Sequence, residues 1–276
     1  MKKTLRIKLF SHFLLIVLSL LYVFPLFWLI STSLKSSEQI YSPQIIWFPV
    51  PFHLPNYVQA IKFVNLFNAF INTSFICIVN ILGVLFSSSL AAYAFSAMKW
   101  KFRDLFFYLT ISSMMLPEMV TLVPQFILLE KLGFYGTYFP LVAPYFFGNA
   151  FYIFLIRQFF LTIPKELGEA ASVDGCSHFD IFFKIYIPLS VPVLSVVSLF
   201  QFLISWNDLI RPSVYLINEN QYTLSLALQQ FKAQHGGTEW SLLMAATTLI
   251  ILPVIIVFFL AQSTFVKGIA MSGLKD

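Results

Sequence analysis

Charge is what this sequence has least of. Lys, Arg, Asp and Glu make up 11% of its 276 residues and the apolar types 59%, whereas soluble domains hold about 25% charged and about 45–50% apolar residues. No water-soluble fold of this size can hide that much apolar side chain, because much of any domain's surface stays exposed. Cysteine is nearly absent: Cys77 and Cys176 offer neither a disulfide framework nor a metal-ligand spacing. His12, His53, His178 and His235 are just as dispersed and read as packing or surface residues rather than zinc ligands. No GxxxxGKS or GxxxxGKT run occurs, so the chain is not itself a phosphate-cradling ATPase. Paired carboxylates and a nucleophile with its base are missing too, and no catalytic or metal site is expected. The net charge of +5 comes from bases scattered between apolar runs, whereas a nucleic-acid groove needs them clustered on one face.

What the sequence has instead is long uncharged runs. No Asp, Glu, Lys or Arg falls between Lys8 and Lys35, Lys62 and Lys99, Lys131 and Arg157, Lys184 and Asp208, or Glu239 and Lys267, and Leu105 to Leu129 is interrupted only by Glu118. A membrane helix needs roughly 20 mostly apolar residues. Six spans follow, at approximately 11–33, 69–97, 105–128, 138–160, 190–210 and 240–263, within a single transmembrane domain, 1–276. They are expected to be α-helices, since lipid forces every backbone polar group to find an internal partner and the runs are too continuously apolar for barrel strands. With the N-terminus inside, twelve Lys and Arg lie on the inner segments and five on the outer ones. The positive-inside rule therefore puts both termini in the cytoplasm. Phe13–Ile30 is too long for the core of a cleaved signal peptide and lacks a clean cleavage site. Cys77 then falls within the second span and Cys176 in a cytoplasmic loop.

That loop, 163–189 between spans four and five, is the most structured-looking of the connections. Pro164 suits the start of a helix, Lys165 to Asp174 can form it, and Gly175 can end it in the left-handed conformation. Glu166 and Glu169 share a face, and the small Ala170 and Ala171 would let a partner approach closely. Phe179, Phe182, Phe183 and Tyr186 follow at i, i+3, i+4 and i+7, the spacing of an amphipathic helix at the membrane boundary, with Asp180 and Lys184 opposite. Pro188 and Pro192 redirect the chain into span five. A plain solvated connection would be shorter; docking of a cytoplasmic partner explains the design better.

EAASVDG at Glu169–Gly175, followed by Phe182, Ile187, Pro188 and Pro192, resembles the EAA loop of permease subunits in binding-protein-dependent ABC importers. FLISWNDLIRPSVYL (Phe202–Leu216), TLSLALQQF (Thr223–Phe231), WSLLMAA (Trp240–Ala246) and FVKGIAMSGLKD (Phe265–Asp276) look like the closing third of the carbohydrate-uptake branch. They are most similar to its shorter, maltose-transporter-like permease. PNYVQA (Pro55–Ala60), NAFINTSFI (Asn68–Ile76) and AAYAFSAMKWKFRD (Ala91–Asp104) extend the likeness over nearly the whole chain. The tail Leu274–Lys275–Asp276 departs from the VKG of many relatives. The resemblance implies a type I importer permease fold and an inner-membrane subunit that works with a second permease, an ATPase dimer and an extracytoplasmic solute-binding protein. ATP and Mg would be bound by the ATPase partner, with no cofactor in this chain. It also implies that Glu169, Ala170, Ala171, Asp174 and Gly175 couple transport to the ATPase, with Glu166 beside them on the same face. Rigid-body rocking of the spans would carry the solute, a sugar or oligosaccharide. The alternative is an ABC permease for a non-sugar solute, which the EAA loop alone permits and the WNDL and FVKG segments disfavour. An ion-coupled transporter would show internal repeats and midplane charges, and neither is evident.

Other positions keep two readings. Glu118, between Pro117 and Pro124, is either a pathway residue, as intramembrane acids often are, or an acid reaching the headgroups where the helix breaks. Trp206, Asn207 and Asp208 close span five as a pathway contact or as an interfacial Trp with a polar cap. Asn72, Asn80 and Asn149 read as interhelical hydrogen bonds before sugar ligands. In the polar outer loop Pro212–Glu239, Thr223 to Phe231 can form a short helix with Leu224, Leu228 and Phe231 on one face. Gly236 and Gly237 would give a flexible exit. The loop is either solvated or the surface that meets the solute-binding protein.

Overall fold

The structure is a computed structural model of the chain. It describes the backbone of residues 2–232 and 238–272 and the side chains of residues 8–232 and 238–262. The helices run in chain order as α1 (Lys2–Ser33), α2 (Ser37–Ile40), α3 (Pro55–Phe63), α4 (Leu66–Ser96), α5 (Arg103–Ser112), α6 (Glu118–Lys131), α7 (Phe139–Val142), α8 (Ala150–Phe160), α9 (Lys165–Val173), α10 (His178–Ile181), α11 (Ile187–Leu189), α12 (Val191–Asn207), α13 (Ile210–Tyr215), α14 (Leu224–Gln229) and α15 (Trp240–Ser272). No strand occurs among the described residues.

Four stretches are long and apolar enough to cross a membrane: Lys8–Ser33, Leu66–Ser96, Phe139–Phe160 and Trp240–Gln262. Two bent pairs bring the number to six if each is one crossing: Arg103–Met115 with Glu118–Lys131, at 97°, and His178–Leu189 with Val191–Asn207, at 78°. The continuous third span expected at 105–128 is therefore two arms. Pro117 sits between them in an extended conformation, where its ring and missing N–H stop a helix from running through; Pro124 lies inside α6 without ending it. The fourth span is also interrupted: α7 passes into a 3₁₀ turn (Ala143–Phe147), and α8 starts afresh. Asn149 caps α8, its side chain accepting from the N–H groups of Phe151 and Tyr152. It is thus a helix cap rather than the interhelical bond expected.

The chain forms two compact units, Met1–Phe67 with Ala227–Leu252 and Asn68–Leu226 with Pro253–Asp276. In the first, none of the most apolar window of α1 is buried. The end of α1 is fastened by the PNYVQA segment. Buried Asn56 donates to the carbonyls of Ser33 (2.8 Å) and Lys35 (2.9 Å), satisfying groups the helix end leaves orphaned, and the Tyr57 hydroxyl meets Ser33 Oγ at 2.7 Å. Lys35 is only 3% exposed and lies 4.0 Å from the centre of the Trp28 ring; burial lowers its pKa. Phe231 stacks on Phe63 with centroids 5.1 Å apart.

In the second unit the core gathers Tyr93, Tyr152, Ile156, Phe160, Phe182, Tyr186 and Val197. NAFINTSFI works as a clasp at the start of α4. Asn68 and Asn72 both donate to Asn220 O, Asn72 also to Tyr222 O, and Thr73 Oγ1 accepts the Leu224 N–H at 2.8 Å. The stretch 220–224 is accordingly packed rather than free. Leu224 and Ala227 are buried, so the helical segment foreseen at Thr223–Phe231 turns its apolar face into the protein. Gly236 and Gly237 lie outside the described residues.

Candidate functional site

The loop 163–189 folds nearly as its residues require. α9 starts after Pro164 and ends in a two-bond cap: Gly175 N–H reaches Ser172 O at 3.1 Å and Cys176 N–H reaches Ala171 O at 3.0 Å. The cap turns on Gly175 at φ +84°, the left-handed conformation that glycine adopts without strain. The inward face of α9 is small: Gly168 lies against Ile181 and Tyr186, and Ala171 packs on the core. Glu166, Leu167, Glu169, Ala170, Val173 and Asp174 are exposed, Val173 at 88%. Ala170 is therefore the alanine left exposed, while Ala171 serves the subunit's own packing.

The aromatic helix after Gly175 departs from its expected face. Ser177 and Asp180 form a capping box at its start, and Lys184 pairs with Asp180 at 2.6 Å. Phe182–Tyr186 then winds as a π-helix, which shifts the period. Ile181, Phe182 and Tyr186 are buried, whereas Phe179 and Phe183 point outward. The buried rings mount the loop on the span ends: Tyr93 of α4 lies 5.3 Å from Phe182 and 4.9 Å from Tyr186, and Phe160 of α8 lies 5.2 Å from Tyr186. A cleft of about 350 Å³ between the loop and the end of α4 is lined by Lys99, Arg103, Lys165, Glu169 and His178.

At the other end of this unit, three chain breaks converge on one base. Arg211, at the start of α13, donates through Nη2 to Glu118 Oε1 and through Nη1 to the Tyr145 hydroxyl at 2.7 Å. Its backbone N–H reaches Asp208 Oδ1 at 3.2 Å. Glu118 begins α6 just after the Pro117 break, where a carboxylate also favours the helix N-terminus, and Tyr145 comes from the 3₁₀ turn before α8. Arg211 is 16% exposed at its side chain and Glu118 66%. A cavity of about 120 Å³ opens beside them, lined by Glu118, Tyr145, Asp208 and Arg211 over an apolar floor that includes Leu122 and Ile204. Close to Tyr145, Gln201 donates to Ser205 Oγ (2.8 Å), which also accepts from Asn80 (3.0 Å).

Residues 83–271 match the family described as "Binding-protein-dependent transport system inner membrane component". The chain belongs to this family. It is 35% identical over 257 residues to the probable ABC transporter permease protein YurM of Bacillus subtilis, covering 91% of this chain and 83% of that protein. It is 33% identical over 256 residues to the arabinooligosaccharides transport system permease protein AraQ of Halalkalibacterium halodurans, covering 92% and 91%. Its fold matches, with TM-score 0.85 and 23% identity over 95% of this chain and 98% of the other, a chain in the crystal structure of a bacterial ABC transporter involved in the import of the acidic polysaccharide alginate. The protein is thus a transport subunit of the inner membrane, a permease rather than an enzyme, of a system that also uses ATPase and solute-binding partners.

Within this permease the foreseen residues fall into separate groups. Glu166, Glu169, Ala170, Asp174 and Gly175 lie together on the exposed side of α9 and its cap. Glu118 and Asp208 meet through Arg211. Trp206 does neither thing expected of it: it is 4% exposed, packed edge-on to Phe70 at 5.8 Å and tilted against Phe202 at 5.2 Å, and its carbonyl accepts from Ser225. It is a core residue tying α12 to Ser225 at the start of α14. Asn207 turns back to its own helix at Leu203 O, 2.8 Å. Arg211 and Tyr145 went unnoticed as site residues. The signal for Arg211 was available, since a lone acid and a lone base each abutting an apolar run invite pairing. Tyr145 carries no comparable signal.

Proposed function

We propose that this permease carries a sugar or oligosaccharide through the cytoplasmic membrane, paired with a second permease subunit and driven by an ATPase dimer that binds ATP and Mg and grips the exposed face of α9. The observation that carries the reading is the make-up of that face. Two carboxylates, Glu166 and Glu169, stand beside the apolar Leu167, Val173 and Ala170 on a helix whose base is fixed by Tyr93, Phe160 and Tyr186. An exposed mixed face on a rigid mount transmits a push; a face on a loose loop would absorb it. Both termini and α9 then lie in the cytoplasm, and the Glu118–Arg211 cluster lies toward the outer side. The sugar assignment is supported by the likeness of the WNDL and FVKG segments to carbohydrate permeases and by the arabinooligosaccharide relative. The test is uptake into proteoliposomes holding the whole importer, loaded with ATP and given the solute-binding protein with radiolabelled oligosaccharides. ATP-dependent accumulation of an oligosaccharide is the expected result; accumulation of amino acids, peptides or phosphate instead would overturn the sugar reading.

A further inference from the structure

We infer that the cavity at Glu118, Tyr145, Asp208 and Arg211 is a contact site for the solute on this subunit, and that its charge selects uncharged glycans over acidic ones. The inference rests on the sugar reading above and decides a point it leaves open.

Three observations carry it. First, the backbone is broken at all three walls, before α6, before α8 and after α12. Irregular backbone at membrane depth persists only where it is buried in protein or lines a watered cavity, and here it lines one of about 120 Å³. Second, the chemistry suits hydroxyl-rich rings. Carboxylates accept from sugar hydroxyls, and the tyrosine offers an apolar face and a polar tip. The polar chain behind Tyr145 ends in two buried acceptors, Asn80 Oδ1 and Gln201 Oε1, that have no donor among the described residues. Third, the charge count is one-sided. The charged lining groups are Glu118, Asp208 and Arg211, a net −1. The base is the hidden one: Arg211 is 16% exposed and already engaged by Glu118 and Tyr145, while the Glu118 side chain is 66% exposed. A passing solute meets carboxylate first. One net charge met at about 6 Å, at an effective dielectric of about 20, discriminates by up to roughly a hundredfold, and salt screening reduces that to about tenfold.

The test measures binding of maltotriose and of trigalacturonate to the complete importer in nanodiscs, without its solute-binding protein, by saturation-transfer NMR. Wild type should prefer maltotriose by about tenfold. E118Q brings the net charge to zero and should erase the preference. R211Q brings it to −2 and should sharpen it. The double variant E118Q/R211Q restores −1 and should restore the wild-type preference even though the ion pair is gone, an outcome that a purely structural pair would not give. Equal binding of both trisaccharides by wild type, or an E118Q preference equal to wild type, overturns the charge-selective cavity. If neither trisaccharide binds any of the four proteins, the cavity is not a solute contact, and oligosaccharide uptake by the same importer shows whether the sugar reading stands without it.

Discussion

Gly175 offers a quantitative check on how α9 is held. It sits at φ +84°, and a Cβ built there meets no atom within 4 Å. A substitution therefore costs conformational strain and nothing from packing. An L-residue in the left-handed region loses roughly 1–2 kcal/mol, Asn less because it tolerates that region, and a β-branched residue more. G175A should thus weaken the capped end of α9 by about 1 kcal/mol, G175V by about 2 kcal/mol or somewhat more, and G175N by a few tenths of a kcal/mol. At 1.4 kcal/mol per tenfold, the capped population falls roughly fivefold for Ala and about thirtyfold for Val. These sums are small beside the total stability of a folded domain, so all three variants should insert and assemble. In the purified importer, solute-stimulated ATP hydrolysis should fall in the order Asn, Ala, Val while basal hydrolysis persists. Equal activity across the three, or an Asn variant as poor as Val, would refute the reasoning that this cap positions the docking helix.

Other outcomes follow from buried hydrogen bonds and exposure. N56A leaves two carbonyls at the end of α1 without their donor and should cost about 2 kcal/mol, read as a lower melting temperature of the solubilised protein; an unchanged temperature contradicts the fastening role. T73V removes the acceptor of the Leu224 N–H at a buried position and should speed amide hydrogen exchange at Leu224 by about tenfold or more, leaving α9 unaffected. A membrane-impermeant maleimide should label exposed Cys176 in inside-out vesicles and miss it in intact cells, while buried Cys77 reacts in neither; labelling of Cys176 in intact cells would reverse the topology proposed.

Sequence periodicity made the apolar spans and the helix α9 legible because their signals are local. Uncharged runs mark lipid-facing length, and Pro164 and Gly175 mark the ends of α9 with one residue each. It failed where a local rule met a tertiary one. The i, i+3, i+4, i+7 spacing of Phe179, Phe182, Phe183 and Tyr186 assumes 3.6 residues per turn throughout, whereas Phe182–Tyr186 winds as a π-helix; Phe182 and Tyr186 are buried and Phe179 and Phe183 point outward. Trp206 looked interfacial because it ends an apolar run, yet Phe70, three spans away in the chain, packs against it. The PNYVQA and NAFINTSFI segments were recognisable as patterns but not as mechanisms. Only the fold shows Asn56 closing the end of α1 and Asn72 with Thr73 holding the stretch 220–224. The site at Arg211 needed three distant breaks to be brought together; Glu118 and Asp208 stand out in the sequence one by one, but their meeting at Arg211 and Tyr145 does not.

The central claim is that the exposed face of α9 is where the ATPase partner holds this permease. The most direct measurement is photocrosslinking from that face in the assembled importer. A benzophenone maleimide would be attached at A170C in a C176S background and, as a control, at Y22C on the bare surface of α1. Crosslinks from position 170 to the ATPase subunit, with none from position 22, are what the account predicts. No ATPase adduct from position 170, or adducts of equal yield from both positions, would contradict it.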